Sequence, residues 1–183
     1  LRALVDALQG NESLEELDVS GNRRLRDHGA RIVSDALLQD RIRGLKRLSL
    51  HNIQMGTEGA IAIAQALHKL ESLDLSFNVG VGDAGAVAIA EGMMSRRDNL
   101  KSLELKLSFC SVGKQGAAAL GKALRNNCEL KELKLGGNRN IGRAGAALLA
   151  AGISSNGHLQ VLHLHDCGID AVGAAAIGMA LRD

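Results

Sequence analysis

Short apolar alternations followed by helix-like apolar stretches recur along this chain. The segments "LDVSGN" (17 to 22), "LSLHNI" (48 to 53), "LDLSFN" (73 to 78), "LKLSFC" (105 to 110), "LKLGGN" (133 to 138) and "LHLHDC" (162 to 167) each open apolar-polar-apolar. Period two puts both apolar side chains on one face of a strand and the polar one on the other. A few residues later each segment reaches a Gly-Ala pair, and a different period begins. Ile32, Val33, Ala36 and Leu37 recur at helical spacing, as do Ile61, Ile63, Ala64 and Leu67, and Leu120, Ala123 and Leu124. The pattern predicts strand, turn and helix six times over. Asp27, Thr57, Asp83 and Asp170 stand ahead of four of these helices as candidate N-caps.

The copies fall into two lengths. "LDVSGNRRLRDHGA" (17 to 30), "LDLSFNVGVGDAGA" (73 to 86) and "LKLGGNRNIGRAGA" (133 to 146) align without gaps. "LSLHNIQMGTEGA" (48 to 60), "LKLSFCSVGKQGA" (105 to 117) and "LHLHDCGIDAVGA" (162 to 174) align one residue shorter, and the two types alternate. The sixth position of each holds Asn22, Ile53, Asn78, Cys110, Asn138 or Cys167, and the five steps between them average 29 residues. An Asn there can satisfy the backbone groups of the turn leaving the strand. Cys or Ile in the shorter type reads as apolar fill for a tighter turn. Ser102 stands where repeat four should carry its first Leu, which predicts an insertion or bulge at that strand.

The motif L-x-L-x-x-N/C, its spacing, the Gly-Ala helix start and the alternation of two types resemble the leucine-rich repeat family, specifically its ribonuclease-inhibitor-like class. The resemblance covers essentially the whole chain. It implies an α/β fold: a right-handed leucine-rich-repeat solenoid, a horseshoe arc with parallel strands on the concave face and helices on the convex face. One such unit cannot bury its apolar face alone, so neighbours must stack. Residues 1 to 13 read as the helix half of an earlier repeat, and residues 173 to 183 end on a helix without a polar cap. The expectation is one domain over 1–183, a fragment of a longer array whose ends are covered by further repeats or by neighbouring subunits.

Composition agrees with thin, regular layers. The chain has no Pro, Trp or Tyr and only two Phe, with 22 Gly in 183 residues. Such a core is filled by Leu, Ile, Val and Ala at close distances. The net charge of +2 is too near neutral to point to nucleic acid. No apolar run reaches the roughly 18 to 20 residues of a membrane helix. There is no basic-then-apolar leader at Leu1, and three cysteines are an odd number, so free thiols in a reducing compartment are expected. The expected location is cytoplasmic, with nuclear or cytoskeletal sites open.

Three stretches imitate chemical motifs. Gly80, Gly82 and Gly85 follow a strand and open a helix as G-x-G-x-x-G, and Glu104 lies about twenty residues on, the layout of a dinucleotide site. Across the repeats only Gly85 recurs, as Gly29, Gly59, Gly116, Gly145 and Gly173, so the repeat explains it without a cofactor. "GAAALGKA" (116 to 123) resembles a phosphate loop but lacks the hydroxyl residue after Lys122. In "HLHDC", His163 and His165 share a strand face with Asp166 and Cys167 nearby, but Cys167 occupies an inward slot. Cys110 and Cys167, two strands apart, lie roughly 10 Å from each other by strand spacing, beyond disulfide reach. Cys128 has no evident partner. No cofactor, no metal and no catalytic residue is expected, and no small-molecule substrate.

Function is then sought on the outward strand positions and the loops that follow them. One column reads Asp18, Ser49, Asp74, Lys106, Lys134, His163; the next Ser20, His51, Ser76, Ser108, Gly136, His165; the one before Glu16, Arg47, Ser72, Glu104, Glu132, Val161. Glu15, Glu16, Asp18, Glu71 and Asp74 make the first half acidic, with Lys46 and Arg47 as the exception. Lys101, Lys106, Lys131, Lys134, His163 and His165 make the second half basic. Such a gradient would steer a partner of complementary charge; local pairing of these charges is the alternative. Phe77 and Phe109, the only large aromatics, fall in one column with Gly21, Asn52, Gly137 and Asp166, so the core does not demand them. They anchor an interface or pack on each other. The candidate partner-binding residues are Arg47, His51, Asp74, Phe77, Glu104, Lys106, Phe109, Lys134, His163 and His165.

The resemblance implies a non-enzymatic scaffold that binds a protein through its concave face and loop-side rim. Relatives in the same class leave alternatives: a Ran-GTPase-activator module, the sensor array of a nucleotide-binding innate receptor, or a structural part of a cytoskeletal or ciliary assembly.

Overall fold

A computed structural model describes residues 1–95, 102–126 and 130–182. Lys101 and Cys128 lie outside the described residues. After α1 (Arg2–Ala7), strand and helix alternate: β1 (Glu16–Asp18), α2 (Arg26–Leu38), β2 (Arg47–Ser49), α3 (Thr57–Ala66), β3 (Ser72–Asp74), α4 (Gly82–Met94), β4 (Leu103–Lys106), α5 (Lys114–Asn126), β5 (Leu130–Lys134), α6 (Gly142–Ile153), β6 (Val161–His163) and α7 (Ala171–Ala180). The strands form one open parallel sheet in the order β1-β2-β3-β4-β5-β6. Each helix is packed against the next, so the parallel sheet and its row of helices form the two layers of an α/β solenoid.

Register follows the leucines. Leu17, Leu48, Leu73, Leu105, Leu133 and Leu162 are cross-strand neighbours in series. The first five are buried, as are Val19, Leu50, Leu75, Leu107 and Leu135 two residues on. The sheet shifts register between Leu103 and Glu104: Leu103 faces Leu130 but Glu104 faces Glu132, so the extra residue, Lys131, sits on β5. The irregularity expected at repeat four is therefore accommodated by its neighbour. Ile61, expected on an inward helical face, is 39% exposed and lines a groove between α3 and α4.

Small residues set the layer spacing. A Cβ on Gly85 would lie 2.6 Å from Val81 and 3.0 Å from Ala60 of the preceding repeat; one on Gly173 would lie 2.9 Å from Ile169 and 3.1 Å from Ala146. Each recurring glycine thus admits a large apolar residue four positions earlier, and most of them also meet the Ala of the repeat before. Between α5 and α6 the backbones themselves touch, since a side chain on Gly152 would land on the carbonyl of Gly121.

Polar side chains close the turns. Asn78 Nδ2 donates to the carbonyls of Leu50 and Leu75, both at 2.8 Å, and its Oδ1 accepts from the amides of Ile53 and Met55, both at 3.0 Å. Asn138 repeats this with Leu107, Leu135, Cys110 and Val112. Each Asn therefore ties its own turn to the preceding one. Cys110 and Cys167 are more than apolar fill: their thiols donate to the carbonyls of Leu75 and Leu135, each at 3.1 Å. Both thiols are free and buried.

One expected cap is present and three depart from expectation. Asp170 caps its own helix, accepting from the amides of Val172 and Gly173. Asp27 and Asp83 instead lie in the first turns of α2 and α4 and reach across to the next repeat. Asp27 accepts from Gly56 N (2.7 Å) and Gly59 N (2.9 Å), and Asp83 from Gly113 N (2.6 Å) and Gly116 N (2.8 Å). Thr57, the first residue of α3, donates to the carbonyls of Gly80 and Val81.

Candidate functional site

The residue just before the Asn or Cys slot turns the chain out of each strand. It has a left-handed backbone in all six repeats: φ is 74° at Gly21, 53° at Asn52, 61° at Phe77, 54° at Phe109, 78° at Gly137 and 53° at Asp166. Gly, Asn and Asp adopt this conformation at little cost, whereas a bulky side chain does so rarely. Phe77 and Phe109 are thus placed against their local preference.

Those two rings stack with centroids 4.5 Å apart and planes 26° apart. His51 lies against Phe77 at 4.9 Å, and His165 approaches Phe109 at 6.4 Å. A ribbon of four rings runs along the loop-side rim. Glycines make room for it: a side chain on Gly137 would strike the Phe109 ring, and one on Gly136 the His165 ring. The ribbon is open to solvent at Phe77, 47% exposed, and beside it at Val79, 70% exposed, while His51 and Phe109 are half-buried. Phe77, Val79, Asn52, Gln54 and Arg23 edge a groove of about 510 Å³.

The outer face of the sheet holds the charged candidates. Arg47 Nε bonds Glu16 at 3.0 Å, and this bond holds the guanidinium pKa above its ordinary value. Asp74 accepts from Ser76 N at 2.8 Å, and Glu104 from Ser72 Oγ at 3.2 Å. Asp18 accepts from the Ser20 side chain and amide, which lower its pKa. Lys134 lies 2.8 Å and Lys106 3.9 Å from one oxygen of Glu132. The charge gradient is therefore partly neutralised in place. Arg47, Asp74, Glu104 and Lys106 line one shallow hollow of about 250 Å³, separate from the aromatic ribbon.

His163 and His165 are both exposed, with ring centroids 6.4 Å apart. Cys167 turns away from them into the core, and burial raises its thiol pKa. Burial pushes the Cys110 thiol up to about 12, so neither is poised as a nucleophile. The amides that would cradle a phosphate in the G-x-G-x-x-G stretch are engaged: Gly82 N donates to Cys110 O at 2.9 Å and Gly85 N to Val81 O at 3.0 Å. Lys122 lies inside α5. No helix among the described residues is long and apolar enough to cross a membrane.

The structure thus gathers His51, Phe77, Phe109 and His165 in one ribbon, and Arg47, Asp74, Glu104 and Lys106 in one hollow. Lys134 joins the latter through Glu132, and His163 borders the former through His165. Sequence reasoning passed over Arg23 and Val79. The signal was available: both follow the Asn slot at the same position of their repeats, where the chain leaves the core.

Comparison with known proteins agrees with this architecture. The family model for the Leucine Rich repeat matches residues 10–31, 66–90, 126–150 and 155–178, together more than half of the chain. The chain is similar to the ribonuclease inhibitor of Sus scrofa, 32% identical over 97% of this chain and 40% of that protein. It is also similar to NACHT, LRR and PYD domains-containing protein 12 of Mus musculus, 31% identical over 92% of this chain and 16% of that protein. The chain spans less than half the length of these relatives. Among solved structures, Leiomodin-1 Actin-Binding Site 2 superposes with a TM-score of 0.55, at 17% identity over 99% of this chain and 85% of that one. The tropomodulin C-terminal domain from Caenorhabditis elegans gives 0.54 at 14% identity over 98% and 90%. Those two share the fold.

Proposed function

We propose that this chain, which belongs to the leucine-rich repeat family in its ribonuclease-inhibitor-like class, is a protein-binding scaffold whose partner seats on the loop-side rim and the adjoining concave sheet face. The observation that carries the reading is the Phe77–Phe109 stack. Two aromatic residues occupy backbone slots where sister repeats use Gly, Asn or Asp; Phe77 is exposed and Phe109 half-buried in the stack. Backbone strain of this kind clusters at functional sites. Exposed aromatics held by neighbours are the residue type that anchors interfaces. The hollow around Arg47, Asp74, Glu104 and Lys106 would supply register, because its charges are held in fixed positions by hydrogen bonds and ion pairs. Nothing in this reading requires a catalytic group.

The test is site-resolved crosslinking. A photoreactive phenylalanine analogue at position 77 or 109 should crosslink a discrete protein partner, and the same analogue at Gln65 on the helical side should not. Crosslinking from Gln65 alone would move the interface to the helices. A second reading, the sensor array of a nucleotide-binding receptor, is favoured by the likeness to the NACHT-containing relative. It predicts a nucleotide-hydrolysing domain in the same polypeptide, detectable as ATP binding by the full-length protein and absent if the chain acts alone.

A further inference from the structure

The three long repeats each pass to a short repeat, and the three junctions can be compared slot by slot. The residue after the Asn is Arg23, Val79 or Arg139, and the left-handed residue one repeat on is Asn52, Phe109 or Asp166. In the last junction Arg139 Nε donates to Asp166 Oδ1 at 2.9 Å, an ion pair on the rim that also raises the arginine pKa. In the first junction the arginine is present and its carboxylate is not. Asn52 has the same φ as Asp166, 53°, but is neutral. The nearby Asp27 already spends one carboxylate oxygen on the amides of Gly56 and Gly59.

Arg23 is exposed and faces the groove that Phe77 and Val79 also line. Arg24 and Arg26 stand beside it, also exposed. Among the described residues, no carboxylate forms an ion pair with any of the three. Arg26 adds a second anomaly: its φ of 47° is in the slot that the other long repeats fill with Gly82 (59°) and Gly142 (57°). A positive residue has been kept where glycine would sit without strain.

We propose that the groove between Arg23 and Phe77 binds a short acidic segment of a protein partner. A partner carboxylate takes the place beside Arg23 and Asn52 that Asp166 holds beside Arg139. A large apolar side chain of the same segment lies on Phe77 and Val79. Arg24 and Arg26 attract further acidic residues and raise the encounter rate. The proposal rests on the rim reading above and specifies the chemistry of its partner.

The chain's own repeats supply the diagnostic variant. Asn52→Asp should rebuild the Arg139–Asp166 pair at the first junction and fill the site from within. The probe is a phage-displayed random dodecapeptide library panned on the full chain, followed by anisotropy measurements on a synthetic labelled copy of an enriched peptide. Enriched peptides should carry Asp or Glu within a few residues of Leu, Met or Phe. Asn52→Asp should weaken binding by about tenfold without lowering Tm, and Phe77→Asn should weaken it as well. Unchanged affinity in Asn52→Asp, enrichment of basic or neutral peptides, or no enrichment at all overturns the proposal. If Phe77→Asn still abolishes binding in the first two cases, the rim reading stands and only the carboxylate site falls. If neither variant changes binding, both fall.

Discussion

Phe77 and Phe109 illustrate how a single backbone angle separates packing from function. A left-handed conformation costs a non-glycine residue on the order of 1–2 kcal/mol, less for Asn and Asp. A stacked ring pair returns about 0.5–1.5 kcal/mol, so the two terms nearly cancel. Phe77→Asn should therefore leave Tm unchanged or slightly raised, while removing the rim anchor. Were Phe77 a core residue, truncation would cost about 3–5 kcal/mol. Thermal unfolding decides between these outcomes, and a large drop would make the ring structural. The Asn ladder gives the opposite case. Asn138 is buried and makes four bonds to backbone groups of two repeats, so Asn138→Ala strands buried donors and acceptors and should cost about 3 kcal/mol or more. Asn22 is exposed and donates only within its own turn, to Val19 O and Ser20 O, so Asn22→Ala should cost about 1 kcal/mol or less. Denaturant titration of the two variants side by side checks the contrast.

At the scale of the element, the helix starts form a matched set. Where a short-repeat helix opens with Gly56 or Gly113, the preceding repeat provides Asp27 or Asp83 as the acceptor. Where it opens with Asp170, which caps itself, the preceding slot holds Arg143, and that arginine pairs with Asp170 and lowers its pKa. The two arrangements should be interchangeable only as pairs. Gly113→Asp alone brings a second carboxylate against Asp83, whose oxygen would lie 3.0 Å from the new Cβ, and should destabilise. Asp83→Arg alone removes the acceptor from two amides and should cost about 1–2 kcal/mol. The double variant should recover most of both losses, and its chemical-denaturation midpoint measures this. The recurrent Leu, Asn and Gly-Ala positions made strands, turns and helices legible in the sequence, because they obey periods that one repeat shares with the next. The cross-repeat caps were not legible, because a first-turn Asp looks the same whether it serves its own helix or its neighbour's. The site was half legible. Phe77 and Phe109 stood out as residues the core does not require, but their strain is a property of backbone angle. Arg23 stood out only when the Arg139–Asp166 pair showed what an arginine in that slot takes.

The whole molecule is built from junctions between adjacent turns, and its energetics should follow that plan. Charges are balanced the same way: Arg31 pairs with Glu58, Lys69 with Asp40 and Arg143 with Asp170, each one repeat away. The net charge of +2 therefore says little about any one face. In such a stack, stability is a sum of local and nearest-neighbour terms, so coupling should be confined to shared junctions. The Leu75 carbonyl is one: it accepts from Asn78 Nδ2 at 2.8 Å and from Cys110 Sγ at 3.1 Å. Asn78→Ala and Cys110→Ala both withdraw a donor from this carbonyl. Removing either leaves the other in place, but removing both strands it in the core, so a double-mutant cycle should show coupling of about 0.5 kcal/mol or more. Asn22→Ala combined with Cys167→Ala, at opposite ends of the sheet and with no shared partner, should be additive within about 0.3–0.5 kcal/mol. Equal coupling in both cycles would mean that the sheet unfolds as one body whose repeats communicate beyond their neighbours. A ligand on the rim of the first repeats would then stiffen the last ones as well. Confined coupling instead makes the groove at Arg23 and the closed pair at Arg139 independent, so that Asn52→Asp can fill one without disturbing the other.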